Sequence, residues 1–208
     1  MNGRQLETTE IEKDIGVLVC ANLKPGRQCE KAARTANGVL TQVLRALSYR
    51  DKTVLPKIYA QYVRPHLEFA VQAWAPWQRG DIELLENVQR RMVRQVTGLQ
   101  GRLYEERLVE LGMDTLEERR KAQDLVQVYK IIHGVDDVDS DTWFERTDQH
   151  QNRTRAAEWG LRQSGRPPRL EMRRNFFSQR VIQEWNRLPV DTRSTSTQNE
   201  FKSYLKKI

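Results

Sequence analysis

From Pro25 onward, alanine, valine and leucine recur at steps of three and four residues: Ala32, Ala33, Ala36, Val39, Leu40, Val43, Leu44 and Leu47. That spacing lays apolar side chains along one face of a helix and leaves the other faces to water. Pro25 suits a first helical turn, because the N–H it lacks would have no partner there. The stripe runs to about Ser48-Tyr49-Arg50, and a face this long has to be covered by other elements. It commits this part of the chain to a helical bundle.

The following segments supply the cover. Asp51 is placed to cap a second helix, striped by Val54, Leu55, Ile58, Tyr59, Tyr62 and Val63. Pro56 lies in its early turns, Pro65 is expected to kink or break it, and Pro76 to stop it. Leu67, Phe69, Ala70, Val71 and Trp74 resume the apolar character in between. Asp81 opens a third helix with Ile82, Leu85, Val88, Met92, Val93 and Val96 on one side, closed by Gly98. Two further helices are expected over Tyr104 to Leu111 and Thr115 to His133, the latter with Thr115 and Glu118 as a capping box and Gly134 as its end. Before the bundle, Asn2-Gly3, the polar stretch Gln5 to Glu12 and the β-branched run Ile15 to Val19 read as a short hairpin. After it, His150 to Glu171 reads as a linker or ordered loop. Asn175 to Leu188 is a last strong helix carrying Phe176, Phe177, Val181, Ile182 and Trp185, and a short helix with Phe201, Tyr204 and Leu205 follows.

Charge and composition narrow the function. Over 208 residues the chain is 38% hydrophobic and 30% charged, which predicts a modest core and much solvated surface. A formal net charge of +7 and a pI near 9.6 suit a polyanionic partner. The only cysteines, Cys20 and Cys29, form no CxxC pair, which argues against a disulfide framework or a zinc site and points to reduced thiols in an intracellular protein, cytoplasmic or nuclear. No apolar run approaches the ~18 residues of a membrane span. The polar N-terminus does not read as a secretory signal. A turn pair with no strand before it reads as a chain cut from a longer one.

Enzyme motifs are missing. There is no phosphate-binding glycine loop, no HExxH and no nucleophile elbow, and His66, His133 and His150 are far apart, so no catalytic residue, cofactor, metal or small-molecule substrate is expected. Asp136, Asp137 and Asp139 could in principle hold a metal ion, but they follow a helix-ending glycine and read as a solvated acidic turn. His66 and Glu68, around the Pro65 kink, read as a helix-kink hydrogen bond rather than a catalytic pair. The basic residues are more informative. Between residues 150 and 188 stand nine arginines against three acids, with no lysine. Arginine grips phosphate with a planar fork and stacks on bases. Arg153, Arg155, Arg162, Arg166, Arg169, Arg173 and Arg174 are candidates for phosphate contact, interleaved with Trp159, Phe176 and Phe177. The same residues also fit a solvated arginine face over an aromatic core, with Phe177, Val181 and Trp185 spaced by four. A second cluster, Arg90, Arg91, Arg94 and Arg102, is open to the same two readings.

Longer stretches resemble one family. Lys13-Asp14-Ile15-Gly16-Val17-Leu18-Val19 with Leu23-Lys24-Pro25 resembles the hairpin that closes the palm in LINE-type, jockey-like non-LTR retrotransposon reverse transcriptases. Tyr62-Val63-Arg64-Pro65-His66-Leu67-Glu68-Phe69-Ala70 with Trp74-Ala75-Pro76-Trp77 is similar to the thumb region of those proteins. So are Asp81-Ile82-Glu83-Leu84-Leu85-Glu86 with Val88-Gln89-Arg90-Arg91, and Tyr104-Glu105-Glu106-Arg107-Leu108. The tail from Asn175-Phe176-Phe177 through Trp185-Asn186-Arg187-Leu188-Pro189 resembles theirs as well. The polymerase aspartate motif and the endonuclease are not in this sequence. The resemblance therefore implies the post-palm part of such an RNA-directed DNA polymerase: non-catalytic, holding RNA or an RNA–DNA hybrid, and partnered by the palm in a full-length parent. The expected architecture is mainly α, with a residual palm hairpin over 1–23, a thumb-like helical bundle over 24–100, a helical connector over 101–149, and a basic loop with C-terminal helices over 150–208. The rival expectation is an inactive relic, or a helical protein-interaction module with no nucleic-acid role.

Overall fold

The computed structural model describes residues 8–147, 159–162 and 169–206. The chain is mainly helical, with a short antiparallel hairpin near its start and a smaller C-terminal helical unit. It divides into two compact units, Met1–Glu117 and Glu118–Ile208.

In the first unit β1 (Ile11–Asp14) pairs with β2 (Val17–Cys20), Asp14 opposite Val17 and Ile11 opposite Cys20. The turn is Ile15-Gly16, both at positive φ (42° and 89°), so Ile15 is not part of a strand as its β-branched side chain suggested. Positive φ at both positions is the signature of a type I′ two-residue hairpin turn, and its match to strand twist here outweighs the dislike of isoleucine for that region. The Asn2-Gly3 pair lies outside the described residues. The hairpin is tied to α1 (Gly26–Ala46) by Lys31, whose Nζ donates to the Gly16 carbonyl at 2.6 Å, and by the Gln28 side chain, which accepts from the Leu18 amide at 2.9 Å.

The α1 stripe is buried as its spacing predicts: Cys29, Ala32, Ala33, Ala36, Leu40 and Leu44 face inward, and Val39, Val43 and Leu47 flank them. Arg50 donates to the Leu44 carbonyl at 2.7 Å and to Gln95 at 2.8 Å, putting a cation at the negative end of the helix. Thr53, not Asp51 as expected, occupies the N-cap position of α2 (Val54–Ile58); the Asp51 carboxylate accepts from the Thr53 and Val54 amides just ahead of it. Pro65 is accommodated upstream. Residues Tyr59–Val63 widen into a π-helical turn in which the Arg64 amide reaches back five residues to the Tyr59 carbonyl. Such a bulge absorbs the missing donor and the ring of a proline that would otherwise clash with the preceding turn. Pro65 then starts α3 (Pro65–Glu68). The next break is at Ala70, whose φ of 52° is left-handed, before α4 (Val71–Trp74). The Trp74 indole donates to the Phe69 carbonyl at 2.8 Å, supplying the partner that carbonyl loses at the break. Glu68 pairs with Arg64 at 3.8 Å, and no hydrogen bond joins it to the exposed His66, so the expected kink bond between those two does not form.

Helix α5 (Arg79–Val93) packs its Leu85, Val88, Met92 and Val93 against α1, where the three alanines permit close approach. A positive φ at Gly98 follows, then α6 (Tyr104–Leu111), closed by left-handed Gly112. Beside the apolar core lies a buried polar set. Glu86 accepts from the Tyr104 hydroxyl and from the amide of Leu116. Gln89 bonds Tyr59, Tyr104 and the Asp114 carbonyl. Leu116 opens α7 (Leu116–Ile132), which continues into the second unit and ends at left-handed Gly134.

The second unit is built on the α7 face of Leu125, Val128, Tyr129 and Ile132. Around it stand α8 (Ser140–Trp143), α9 (Glu171–Arg174), α10 (Phe177–Arg187), α11 (Val190–Arg193) and α12 (Gln198–Leu205). A second antiparallel pair, β3 (Glu145–Arg146) with β4 (Leu161–Arg162), crosses the stretch expected to be a loop. It holds because the Asn186 amide brackets Leu161, accepting from its N–H at 3.0 Å and donating to its carbonyl at 2.7 Å. Asn175 and Phe176 fall outside α10, with Phe176 as its N-terminal flank. Arg180 closes a fork on Asp124 at 2.8 and 3.0 Å. Burial nonetheless holds the Asp124 carboxyl above its usual range, against the pull of Arg180.

Four rings stack in the second unit: Trp159 on His133 (4.4 Å), His133 on Tyr129 (4.0 Å) and Tyr129 on Phe201 (4.7 Å). The His133 Nε2 lies 2.8 Å from the Arg193 carbonyl. Burial holds its pKa below the ordinary histidine value, and the charge of Arg146 pushes the same way. The unfolded chain then takes up a proton near pH ~6.5 that the folded unit refuses until lower pH. Stability of this unit is therefore expected to fall as pH drops below about 6.5, and to level off beneath the folded pKa. Urea denaturation on either side of that pH checks it, and His133→Gln should flatten the slope.

Candidate nucleic-acid interface

The arginines predicted on α5 take different roles. Arg91 turns toward α1, donating to the Asn37 side chain at 3.0 Å and to the Thr41 hydroxyl at 3.0 Å. Arg90 and Arg94 lie on the side of α5 that meets α6. There the Arg90 guanidinium stands 5.1 Å over the Tyr104 ring, a cation–π contact, and donates to Asn87 at 3.1 Å. Arg94 is exposed, and its side chain has no hydrogen-bond or ion-pair partner among the described residues. One turn along α6 from Tyr104, Arg107 donates through Nε to the Arg102 carbonyl at 3.0 Å. Arg90, Val93, Arg94, Tyr104 and Arg107 enclose a shallow pocket of about 80 Å³. Three arginines and no acidic residue border it, and the surface they present to it is mostly their apolar atoms.

The pocket floor is fixed from behind. The Tyr104 hydroxyl points to Glu86 and Gln89, and burial together with the Glu86 bond pushes the phenol far above its usual pKa, so it stays protonated. Arg102 lies apart from the pocket lining, paired with Glu110 at 3.1 Å; Lys52 holds the same carboxylate at 2.6 Å. Those bonds, with Lys52 first, keep Glu110 below the usual carboxylate range. Arg107 was not among the arginines singled out from sequence, although its three-residue step from Tyr104 on a helix is the signal that could have found it.

In the second unit Arg162, Arg169, Arg173 and Arg174 are exposed. Arg153, Arg155 and Arg166 lie outside the described residues. Of the aromatics expected to interleave with these arginines, Phe177 is buried with Val181 and Trp185, and Trp159 is engaged in the ring stack. Phe176 stays half exposed, and Leu170 and Trp143 are exposed as well. The acidic stretch has structural work. Asp139 caps α8 through the Asp141 amide at 3.0 Å, and Asp136 accepts from Gln127 at 2.7 Å and Lys130 at 3.2 Å. The Gln127 bond leads in holding Asp136 below its usual pKa. Among the described residues no three metal-ligating side chains come together, and no helix is long and apolar enough to cross a membrane.

Comparison with protein-family models, curated proteins and solved structures finds no match for this chain.

Proposed function

We propose that the chain is a non-catalytic nucleic-acid grip that holds the phosphate backbone of RNA or of an RNA–DNA hybrid. It would do so as the thumb and tail region of a LINE-type reverse transcriptase, an RNA-directed DNA polymerase. The observation that carries the reading is the gathering of Arg90, Arg94 and Arg107 around Tyr104, with no carboxylate lining the pocket they form. The exposed Arg162, Arg169, Arg173 and Arg174 add a second basic surface, and the net charge of +7 favours polyanions at long range. The resemblance of the Tyr62–Ala70 and Asn175–Pro189 stretches supplies the family.

Binding to a labelled RNA–DNA hybrid across a salt series tests the reading. Log affinity is expected to fall steeply with log salt, and each phosphate contact removed by an arginine-to-glutamine change should flatten the slope by roughly 0.7–0.9. Arg90, Arg94 and Arg107 are the positions to change first. No binding at low salt would sink the proposal.

A second reading, a helical protein-interaction module, is favoured by the bare hairpin. Ile11, Ile15 and Val19 on it, and Phe69 against its turn, are exposed apolar side chains beside two strands that, among the described residues, pair with each other alone. A folded chain that ignores nucleic acid would leave this reading standing.

A further inference from the structure

We infer that the open edge of β1 receives an extended segment of another protein as a third strand, one that alternates basic with apolar residues. The surface is separate from the arginines above, and the inference stands whether or not the chain holds nucleic acid. At the end of the hairpin the Ala21 amide donates to the Glu10 carbonyl at 2.8 Å, which makes these two residues a hydrogen-bonded pair. Bonded and non-bonded pairs alternate along an antiparallel ladder. The register therefore bonds Glu12 to Val19 and Asp14 to Val17. It leaves Ile11 opposite Cys20, and Lys13 opposite Leu18, with their N–H and C=O groups turned outward. On the β2 side two of these groups are taken: the Leu18 amide donates to the Gln28 side chain at 2.9 Å, and the Cys20 carbonyl accepts from the Leu23 amide at 2.8 Å. On the β1 side those of Ile11 and Lys13 have no partner among the described residues, and the whole strand is exposed. Such an edge is a template for strand addition.

Charge selects the occupant. Glu10, just before β1, falls with Glu12 and Asp14 on one face of the hairpin, and Ile11 and Lys13 fall on the other. A second copy paired antiparallel through the same edge would set outward-bonding residues against each other, and hence acids opposite acids. Like charges directly opposite are destabilising. A strand with lysine or arginine at every second position meets the three carboxylates instead. Its apolar side chains then fall beside the exposed Ile11.

The test adds the peptide Lys-Val-Lys-Val-Lys-Val-Lys to the full chain, with anisotropy of the labelled peptide for affinity and amide exchange for position. The Ile11 and Lys13 amides are expected to exchange fast in the free chain and to become protected in the complex, while Leu18 is unchanged. A peptide with glutamate in place of each lysine should bind at least about tenfold more weakly, and Glu12→Lys should weaken the lysine peptide about as much. Lys13→Pro removes an outward N–H without touching the pairing to β2, so binding should be lost while the exchange of the β2 amides stays as it was. Binding that protects neither Ile11 nor Lys13 would be charge attraction alone and overturns the inference, as does a complete failure to bind. Protection of the same amides without peptide overturns it too: constant protection means that the edge is already covered, and protection that rises with protein concentration means that a second copy covers it.

Discussion

Trp185→Ala is expected to cost the second unit roughly 3–5 kcal/mol, the usual range for deleting a buried aromatic. The indole is fully buried, one α10 turn from Val181 and two from Phe177, and its ring centroid lies 5.8 Å from that of Phe201. Most of the loss should come from the cavity rather than from the hydrogen bond. The Trp159 carbonyl that accepts from Nε1 at 2.8 Å also accepts from Arg193 at 3.0 Å, so removing the indole leaves it partnered. Trp185→Phe separates the two effects. It keeps most of the volume and drops only the bond, and a loss of about 0.5–1.5 kcal/mol is expected. Hydrogen exchange of the α10 amides in mild denaturant measures both variants. A Trp185→Ala cost no larger than that of Trp185→Phe would mean that the cavity closes and that this ring does not anchor the unit.

The helices were legible because their signals are local. The alanine and leucine stripe of α1, the span of α6, Asp51 ahead of α2 and Gly134 after α7 can each be read within a few residues. What escaped depends on distant partners or on local strain. The β3–β4 pair is two residues long, with no periodicity to detect, and it forms because Asn186 reaches across to Leu161. The left-handed turns at Ile15 and Ala70 are occupied by residues that disfavour them, so composition pointed elsewhere. In both cases the fold supplies what the residue lacks: a hairpin closed by Gly16, and an indole bond to the Phe69 carbonyl.

The candidate interface was legible as charge and not as geometry. A stripe of arginines on one helix says which residues share a face, but not what the face meets. Arg91 and Arg94 are three residues apart, yet Arg91 bonds Asn37 and Thr41 on α1 while Arg94 lines the pocket toward α6. Arg180 and Arg187 likewise counted toward the basic tail in sequence, but one grips Asp124 and the other pairs with Glu184 on the surface. A salt bridge between elements distant in sequence removes a cation from the surface without any local sign.

Glu86→Ala is expected to destabilise the first unit by roughly 3 kcal/mol or more, because it strips the acceptor from buried donors without removing them. Glu86 is nearly fully buried and sits beside the predicted apolar stripe of α5 rather than on it. Its carboxylate accepts from the Leu116 amide at 3.0 Å, from the Tyr104 hydroxyl, and from Gln89 at a longer 3.4 Å. The Leu116 amide opens α7, where the first turn has no carbonyl of its own helix to donate to, so a carboxylate from α5 does the capping. Gln89 has the Asp114 carbonyl in reserve at 2.9 Å, which limits the damage there; the Leu116 amide has no such reserve. Glu86→Gln should lie between the two, since one carbonyl oxygen remains to accept while the new amide can donate to the Tyr104 oxygen. Amide exchange at Leu116 and in α6 reads this out directly. Protection lost in Glu86→Ala and largely kept in Glu86→Gln is the expected order. The same variant bears on the interface: with Tyr104 released, the pocket wall loses its fixed ring, and hybrid binding should weaken even though no arginine has been changed.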